Sequence, residues 1–151
     1  MRVLFVCTGN TCRSPLAESI LRRLGIAGVT VASAGIHAWN GDRASEKSCC
    51  VAKEHGLDLS AHRARLLTAD LVREADLILT MTESQRNHVA EMGLADEERI
   101  RVLGEFAGRI SPVAEVSDPM IPDNMEAYRD TYEQLDDMIN TILPLLERER
   151  R

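Results

Sequence analysis

The sequence has no excess of positive charge and no long hydrophobic run. Its 18 lysine and arginine residues are outnumbered by 24 aspartate and glutamate residues, and the formal net charge is −6. General attraction to nucleic acid or to anionic membranes is therefore not favoured. The apolar run at residues 3–6 is far shorter than a signal-peptide core, and no run approaches membrane-spanning length. We expect a cytoplasmic protein that binds neither nucleic acid nor membrane.

Cysteines are few, and internal repeats, low-complexity segments and long linkers are missing. The four cysteines are Cys7, Cys12, Cys49 and Cys50; they lack the density and spacing of a disulfide scaffold and form no zinc-binding pattern. A chain of 151 residues that is 44% hydrophobic is long enough to bury one core. The sequence therefore predicts a single domain over residues 1–151, with at least one reduced cysteine and no metal site.

Short apolar segments alternate with helical patterns along the chain. We predict strands at residues 3–6, 29–31, 77–79 and 101–103. We predict helices that begin near Ser14 and Pro15, that cover residues 44–55 and 82–92, and that follow an apolar stripe at residues 125–146, with Pro144 disturbing the last turns. The first strand is apolar throughout, which is typical of a strand buried on both faces. The pattern predicts an α/β fold of three layers, with a central, mostly parallel four-stranded sheet and helices on both faces.

The segment CTGNTCR, at residues 7–13, follows the first strand and precedes the first helix. In α/β folds the ligand usually sits at this place, beside a helix N-terminus. Gly9 and Asn10 can adopt unusual backbone angles that turn successive N–H groups inward, which makes a concave site for an anion. Arg13 adds a planar group that matches two phosphate oxygens. These positive groups favour the thiolate form of Cys7, which is a nucleophile toward a bound phosphoryl group.

The chain resembles the low-molecular-weight protein-tyrosine-phosphatase family over nearly its whole length. The matching segments are VLFVCTGNTCRSPLAES around this loop, SAG at residues 33–35, HRAR at residues 62–65 and DP at residues 118–119. The resemblance implies that Cys7 is the nucleophile, that Arg13 holds the phosphate and that Asp118 is the general acid. The other loop residues implied to bind the phosphoryl group or the substrate are Thr8, Gly9, Asn10, Thr11, Cys12 and Ser14. The hydrogen-bond network implied to brace the loop joins Asn10 and Ser14 to Ser33 and His62.

The implied chemistry needs no metal and no cofactor. Cys7 attacks phosphorus and forms a phosphocysteine, while Arg13 and the loop N–H groups hold the other phosphoryl oxygens. Asp118 donates a proton to the leaving atom and then takes one from the water that hydrolyses the intermediate. On the residues alone, Asp118 also fits a plain turn before a proline. The expected partners are phosphorylated protein substrates.

Two positions depart from the tyrosine-specific branch of the family. That branch usually carries isoleucine where this chain has Thr11, and aromatic residues where it has Met120 and Ile121. The segment CTGNTCRSP instead resembles the bacterial protein-arginine-phosphatase branch, although that branch commonly keeps a phenylalanine after the Asp-Pro pair. A hydroxyl at Thr11 and a carboxylate at Asp118 suit the polar, planar leaving group of phosphoarginine. Trp39 and Met120 are the candidate residues to flank the substrate.

Several alternatives stay open. Phosphoarginine is the favoured substrate and phosphotyrosine is the alternative. An arsenate reductase of the same fold is less favoured, because residues 76–92 contain no cysteine to relay a disulfide. Trp39 fits either a substrate flank or a cover for the edge of the core. Cys12 fits either a protective disulfide with Cys7 or buried packing, and Cys49 and Cys50 fit packing on a helix.

Overall fold

The computed structural model describes residues 1–149, which form four strands and six α-helices. The strands are β1 (Arg2–Cys7), β2 (Thr30–Gly35), β3 (Leu77–Thr80) and β4 (Ile100–Val102). The helices are α1 (Arg13–Leu24), α2 (Glu46–Glu54), α3 (Ala69–Glu74), α4 (Glu83–Glu91), α5 (Leu103–Phe106) and α6 (Met125–Glu149). Residues 150 and 151, which the single-domain prediction includes, lie outside the described residues. Within the described part, no helix combines the length and apolar character needed to cross a membrane.

The four strands form one parallel sheet in the order β2-β1-β3-β4. β1 lies in the interior of the sheet, where Val3 pairs with Val31 of β2 and with Leu77 of β3. Parallel neighbours need crossover connections, which helices usually supply. The alternation of strands and helices along the chain is therefore the local signature of this topology.

β1 is apolar because both of its faces are buried. Phe5 and Cys7 belong to a cluster that α1, α2 and α6 cover, whereas Leu4 and Val6 belong to a second cluster that α3 and α4 cover on the opposite face. Burying one large apolar side chain contributes about 1.5–3 kcal/mol. The two clusters are the two interfaces of a three-layer structure. The predicted α/β fold, with helices on both faces of a four-stranded sheet, is confirmed.

Most element boundaries differ from the prediction by one or more residues, and α3 and α5 were not predicted. α1 begins at Arg13, with Cys12 at the N-cap, so Ser14 lies inside the first turn instead of capping the helix. β2 continues to Gly35, because β1 supplies a hydrogen-bonding partner as far as Cys7. Leu103 begins α5 instead of ending β4.

Pro144 does not end the C-terminal helix. It lies inside α6, which continues to Glu149, although proline removes one helical hydrogen bond. Ile142 and Leu146 are fully buried before and after it. Burial of the apolar stripe on both sides of the proline keeps α6 continuous to Glu149.

Candidate active site

The loop of residues 8–12 joins β1 to α1 at the carboxyl edge of the sheet. β2 and β3 both flank β1 in parallel, so the segments that follow them leave from the same edge. Parallel α/β folds bind ligands at this place. The loop turns at Asn10, whose φ is 57°, a left-handed conformation that asparagine tolerates better than most residues. Gly9, the other residue for which an unusual backbone was expected, does not adopt a positive φ.

The side chain of Asn10 is fully buried and joins the loop to three other segments. Its Nδ2 donates to Ser14 Oγ at 2.8 Å and to Ser33 Oγ at 2.9 Å. Its Oδ1 accepts from the backbone N of Arg65 at 3.0 Å. His62 Nε2 donates to the backbone oxygen of Asn10 at 2.8 Å, since a carbonyl oxygen only accepts. The structure thus brings together the four residues expected to brace the loop, with Asn10 at their centre.

Cys7 lies at the floor of this loop and is only 2% exposed. Its Sγ is 2.9 Å from Ser14 Oγ and accepts from the backbone N of Asn10 at 3.3 Å. Because Asn10 Nδ2 already donates to the Ser14 oxygen, the Ser14 hydrogen is free to point at the sulfur. Two hydrogen-bond donors are thus within reach of one sulfur. The Cys7 sulfur therefore lies at the floor of the loop, close to the N-terminus of α1.

Arg13 connects the loop to the distant segment that carries Asp118. Its side chain is 5% exposed, and Nη1 donates to the backbone oxygen of Val116 at 3.0 Å. The backbone N of Val116 donates in turn to the oxygen of Met81 at 2.9 Å. The buried guanidinium and the residue two positions before Asp118 therefore hold each other in place.

Asp118 is half-buried at the start of a turn. Its Oδ1 accepts from the backbone N of Met120 at 3.0 Å, and its backbone oxygen accepts from the N of Ile121 at 3.3 Å. The turn role that the Asp-Pro pair allowed is therefore present. It uses one carboxylate oxygen, which leaves the second for chemistry.

Four residues expected to contact the substrate have exposed or half-buried side chains. Thr8 is exposed and Thr11 is half-buried. Among the described residues, the contact of Thr11 Oγ1 is a long one, 3.7 Å from Cys12 Sγ. Met120 is exposed, and Trp39 is 78% exposed, so the interpretation of Trp39 as a cover for the core is wrong. These side chains are available to contact a substrate.

Cys12 faces away from the rim into a buried polar contact. Its side chain is buried, Sγ donates to Ser45 Oγ at 3.3 Å, and it lies 3.6 Å from the Tyr128 hydroxyl. Burial, and then the hydrogen bond with Cys12, raise the pKa of Tyr128. All four cysteines are free thiols. Cys50 is exposed, so the packing role expected for it is wrong, whereas Cys49 is half-buried on α2.

Two residues in the surroundings of the loop were missed by sequence reasoning. Gln85 Nε2 donates to Thr8 Oγ1 at 3.1 Å; the spacing from Thr82 to Gln85 is a helix-capping signal, but that signal does not reveal the contact with the loop. At Gly35, an added Cβ would lie 2.7 Å from the Thr8 backbone oxygen and 2.9 Å from the Asn10 nitrogen. Gly35 therefore allows β2 to approach the loop closely.

No group of three or more histidine, cysteine, aspartate or glutamate side chains able to hold a metal occurs within residues 1–149.

The comparisons with known proteins agree with this site. The family model for low molecular weight phosphotyrosine protein phosphatase matches residues 2–151. The protein-arginine-phosphatase of Geobacillus stearothermophilus is 33% identical over 149 residues, covering 99% of this chain and 98% of the relative. The low molecular weight protein-tyrosine-phosphatase Wzb of Salmonella typhi is 38% identical over 151 residues, covering 99% of this chain and 89% of that protein.

A solved structure shares the whole fold. It is a cysteine-to-serine mutant of the YwlE arginine phosphatase with a phosphorylated active-site serine, 30% identical, with a TM-score of 0.90 and coverage of 100% of this chain and 99% of that chain. The matched family, the relatives of both specificities and the shared fold support one assignment: this chain belongs to the low molecular weight phosphotyrosine protein phosphatase family and is a phosphatase, a hydrolase of phosphorylated groups.

Proposed function

We propose that this protein removes phosphoryl groups from phosphorylated proteins through a phosphocysteine on Cys7, and that phosphoarginine is its preferred substrate. The observation that carries the covalent route is the position of the Cys7 sulfur, 2.9 Å from Ser14 Oγ and 3.3 Å from the Asn10 N, at the floor of the loop. The relative with a serine in place of its cysteine carries the phosphate on that serine, which supports attack from this position.

In the first half-reaction the Cys7 thiolate displaces the side chain of the substrate from phosphorus. A phosphorus–sulfur bond forms while the bond to the leaving atom breaks. Arg13 and the loop N–H groups hold the remaining phosphoryl oxygens as charge is redistributed. Arg13 is held by Val116, so its guanidinium needs little reorganisation when substrate arrives.

Asp118 serves both half-reactions in this proposal. Its protonated carboxyl donates to the leaving atom, and the resulting carboxylate takes a proton from the water that attacks the phosphocysteine. The cysteine then leaves as a thiolate and inorganic phosphate is released. The hydrogen bond from Met120 N fixes the carboxyl group in one orientation, which supports its use as a directed proton donor.

The preference for phosphoarginine rests on Thr11. Its hydroxyl has only a long contact with Cys12 among residues 1–149, so it can accept a hydrogen bond from a guanidinium N–H group. A hydroxyl at the rim suits the polar leaving group of phosphoarginine better than the apolar ring of phosphotyrosine. Relatives named for arginine and for tyrosine both match this chain, so the proposed preference rests on the side chain at position 11.

The deciding experiment compares kcat/KM for phosphoarginine and phosphotyrosine in the wild type and in Thr11→Ile. We expect the wild type to prefer phosphoarginine, and the ratio of the two efficiencies to fall by about tenfold or more in the variant, equivalent to ~1.4 kcal/mol. The variant loses a hydrogen-bonding partner and gains apolar bulk. Thr11→Val keeps the shape without the hydroxyl and should show most of the same fall.

Thr11→Ser is the matched control, because it keeps the hydroxyl and should keep the preference. A wild type that prefers phosphotyrosine, or a ratio that stays the same in Thr11→Ile, would replace the arginine assignment with the tyrosine-phosphatase alternative. The arsenate-reductase alternative has no support from the two remaining cysteines, since Cys49 and Cys50 lie on α2 and not in the region after β3. The cytoplasmic location and the single domain over residues 1–151 stay predictions.

A further inference from the structure

We propose that Gln85 of α4 is a positioning residue for the phosphatase reaction, because it holds Thr8, the first residue after Cys7. The inference rests on the proposed function, in which the loop of residues 8–12 binds the phosphoryl group. Gln85 is 5% exposed, and its side chain reaches Thr8 across 77 positions of sequence.

The orientation of the Gln85 amide is fixed by the start of α4. Its Oε1 accepts from the backbone N of Met81 at 2.9 Å and from that of Thr82 at 3.1 Å. Both partners are donors, so the oxygen must face them and the amide nitrogen must face the other way. That nitrogen donates to Thr8 Oγ1 at 3.1 Å. The helix start thus aims one N–H group of Gln85 at the loop.

Thr8 is held from the opposite side by the segment after β2. The backbone oxygen of Cys7 accepts from the N of Ile36 at 3.0 Å, and that of Thr8 accepts from the N of His37 at 2.9 Å. A trans peptide places its C=O and N–H on opposite sides, so these two bonds turn the N–H groups of Thr8 and Gly9 away from β2. In this orientation they are available to phosphoryl oxygens.

Gln85 supplies the side-chain restraint on Thr8. The Thr8 side chain is exposed, so core packing does not fix it, and the hydrogen bond from Gln85 does. The capping role of Gln85 uses its Oε1 and its backbone N, which donates to Thr82 Oγ1 at 3.2 Å. The bond from Nε2 to Thr8 adds nothing to the helix start, so a role in capping does not account for it.

The experiment is a double-mutant cycle with Gln85→Leu, Thr8→Val and the double variant. We measure kcat/KM for p-nitrophenyl phosphate, the dissociation constant of vanadate and the thermal midpoint. Each single variant should lower kcat/KM and weaken vanadate binding by about tenfold, within the range for one hydrogen bond to a group that becomes unpaired. The double variant should lose no more kcat/KM than Gln85→Leu alone, because the bond that Thr8→Val removes is already absent in that variant.

Two controls separate positioning from folding. Thr82→Ala removes half of the helix cap while leaving the Gln85 bond to Thr8, so it should lower the thermal midpoint without changing kcat/KM. Thr8→Ser keeps the hydroxyl that accepts from Gln85 Nε2, so it should lose less kcat/KM than Thr8→Val. If Gln85→Leu does not fold, the comparison of Thr8→Val with Thr8→Ser decides, since neither changes α4.

The inference is overturned if folded Gln85→Leu keeps wild-type kcat/KM. It is also overturned if Gln85→Leu lowers kcat/KM by the same factor in the Thr8→Val background as in the wild type, or if Thr8→Val is as active as Thr8→Ser. Failure of the proposed function would look different. Cys7→Ser would then retain turnover, whereas failure of this inference alone leaves Cys7→Ser inactive and Gln85→Leu fully active.

Discussion

Asn10 is the residue on which the loop depends most, and its replacement by alanine tests the hydrogen-bond network. The change removes three side-chain hydrogen bonds, two to the hydroxyls of Ser14 and Ser33 and one from the backbone N of Arg65. It leaves the bond from His62, because that bond ends on the backbone oxygen. It also places a residue with a Cβ and no polar side chain at a φ of 57°.

The expected loss of stability follows from these contacts. Three net hydrogen bonds at a buried site contribute about 3 kcal/mol together. Holding alanine in the left-handed region costs about 1–2 kcal/mol more. We therefore expect Asn10→Ala to lower the free energy of unfolding by about 4–5 kcal/mol, a large part of the ~5–15 kcal/mol that stabilises a typical domain.

Urea denaturation followed by circular dichroism measures this loss, with Asn40→Ala as the matched control. Asn40 is exposed and its Oδ1 accepts one hydrogen bond, from the N of Leu66 at 2.8 Å. Its replacement should cost about 1 kcal/mol or less. If Asn10→Ala lowers the free energy of unfolding no more than Asn40→Ala, the network does not stabilise the loop and the reasoning fails.

Three further predictions concern pH, steric fit and proton transfer. The pKa of Tyr128 is raised by its burial, so the phenol is neutral in both the folded and the unfolded state below the unfolded pKa of ~10, and only the unfolded state ionises just above it. Urea midpoints should therefore fall more steeply with alkaline pH in the wild type than in Tyr128→Phe. Parallel curves for the two proteins would contradict this. Gly35→Ala places a Cβ 2.7 Å from the Thr8 oxygen, so kcat/KM should fall by about tenfold or more as the loop shifts, whereas wild-type kinetics would show that the approach is not needed. Asp118→Asn can still accept from Met120 N, so the turn should persist while turnover falls more for substrates with poor leaving groups than for p-nitrophenyl phosphate; equal losses on both would exclude a general-acid role.

The layers of the fold could be predicted from local sequence, whereas several boundaries could not. β1 was predictable because it is apolar on both faces, as the two core clusters require. The second half of β2 was missed because Ala32, Ser33, Ala34 and Gly35 are small residues with little strand preference. They form a strand because β1 offers hydrogen-bonding partners along its full length.

The candidate site was predictable to the extent that its residues share one loop. Cys7, Asn10 and Arg13 are close in sequence, and the N-terminus of a helix after a buried strand points to an anion. Asp118 lies far from the loop in sequence, and the family resemblance alone pointed to it. The bond from Arg13 to Val116, two residues before Asp118, is encoded by no local pattern. The contact of Gln85 with Thr8 was missed for the same reason.

The central claim is that Cys7 carries the phosphoryl group during turnover. Phosphorus NMR of Asp118→Asn mixed with p-nitrophenyl phosphate tests it most directly, because loss of the base that activates water slows hydrolysis of the intermediate more than its formation from a good leaving group. We expect a protein-bound resonance of a sulfur-linked phosphoryl group that disappears when Cys7 is also replaced by alanine. Steady turnover with no such resonance, or a resonance that persists without Cys7, would contradict the covalent mechanism.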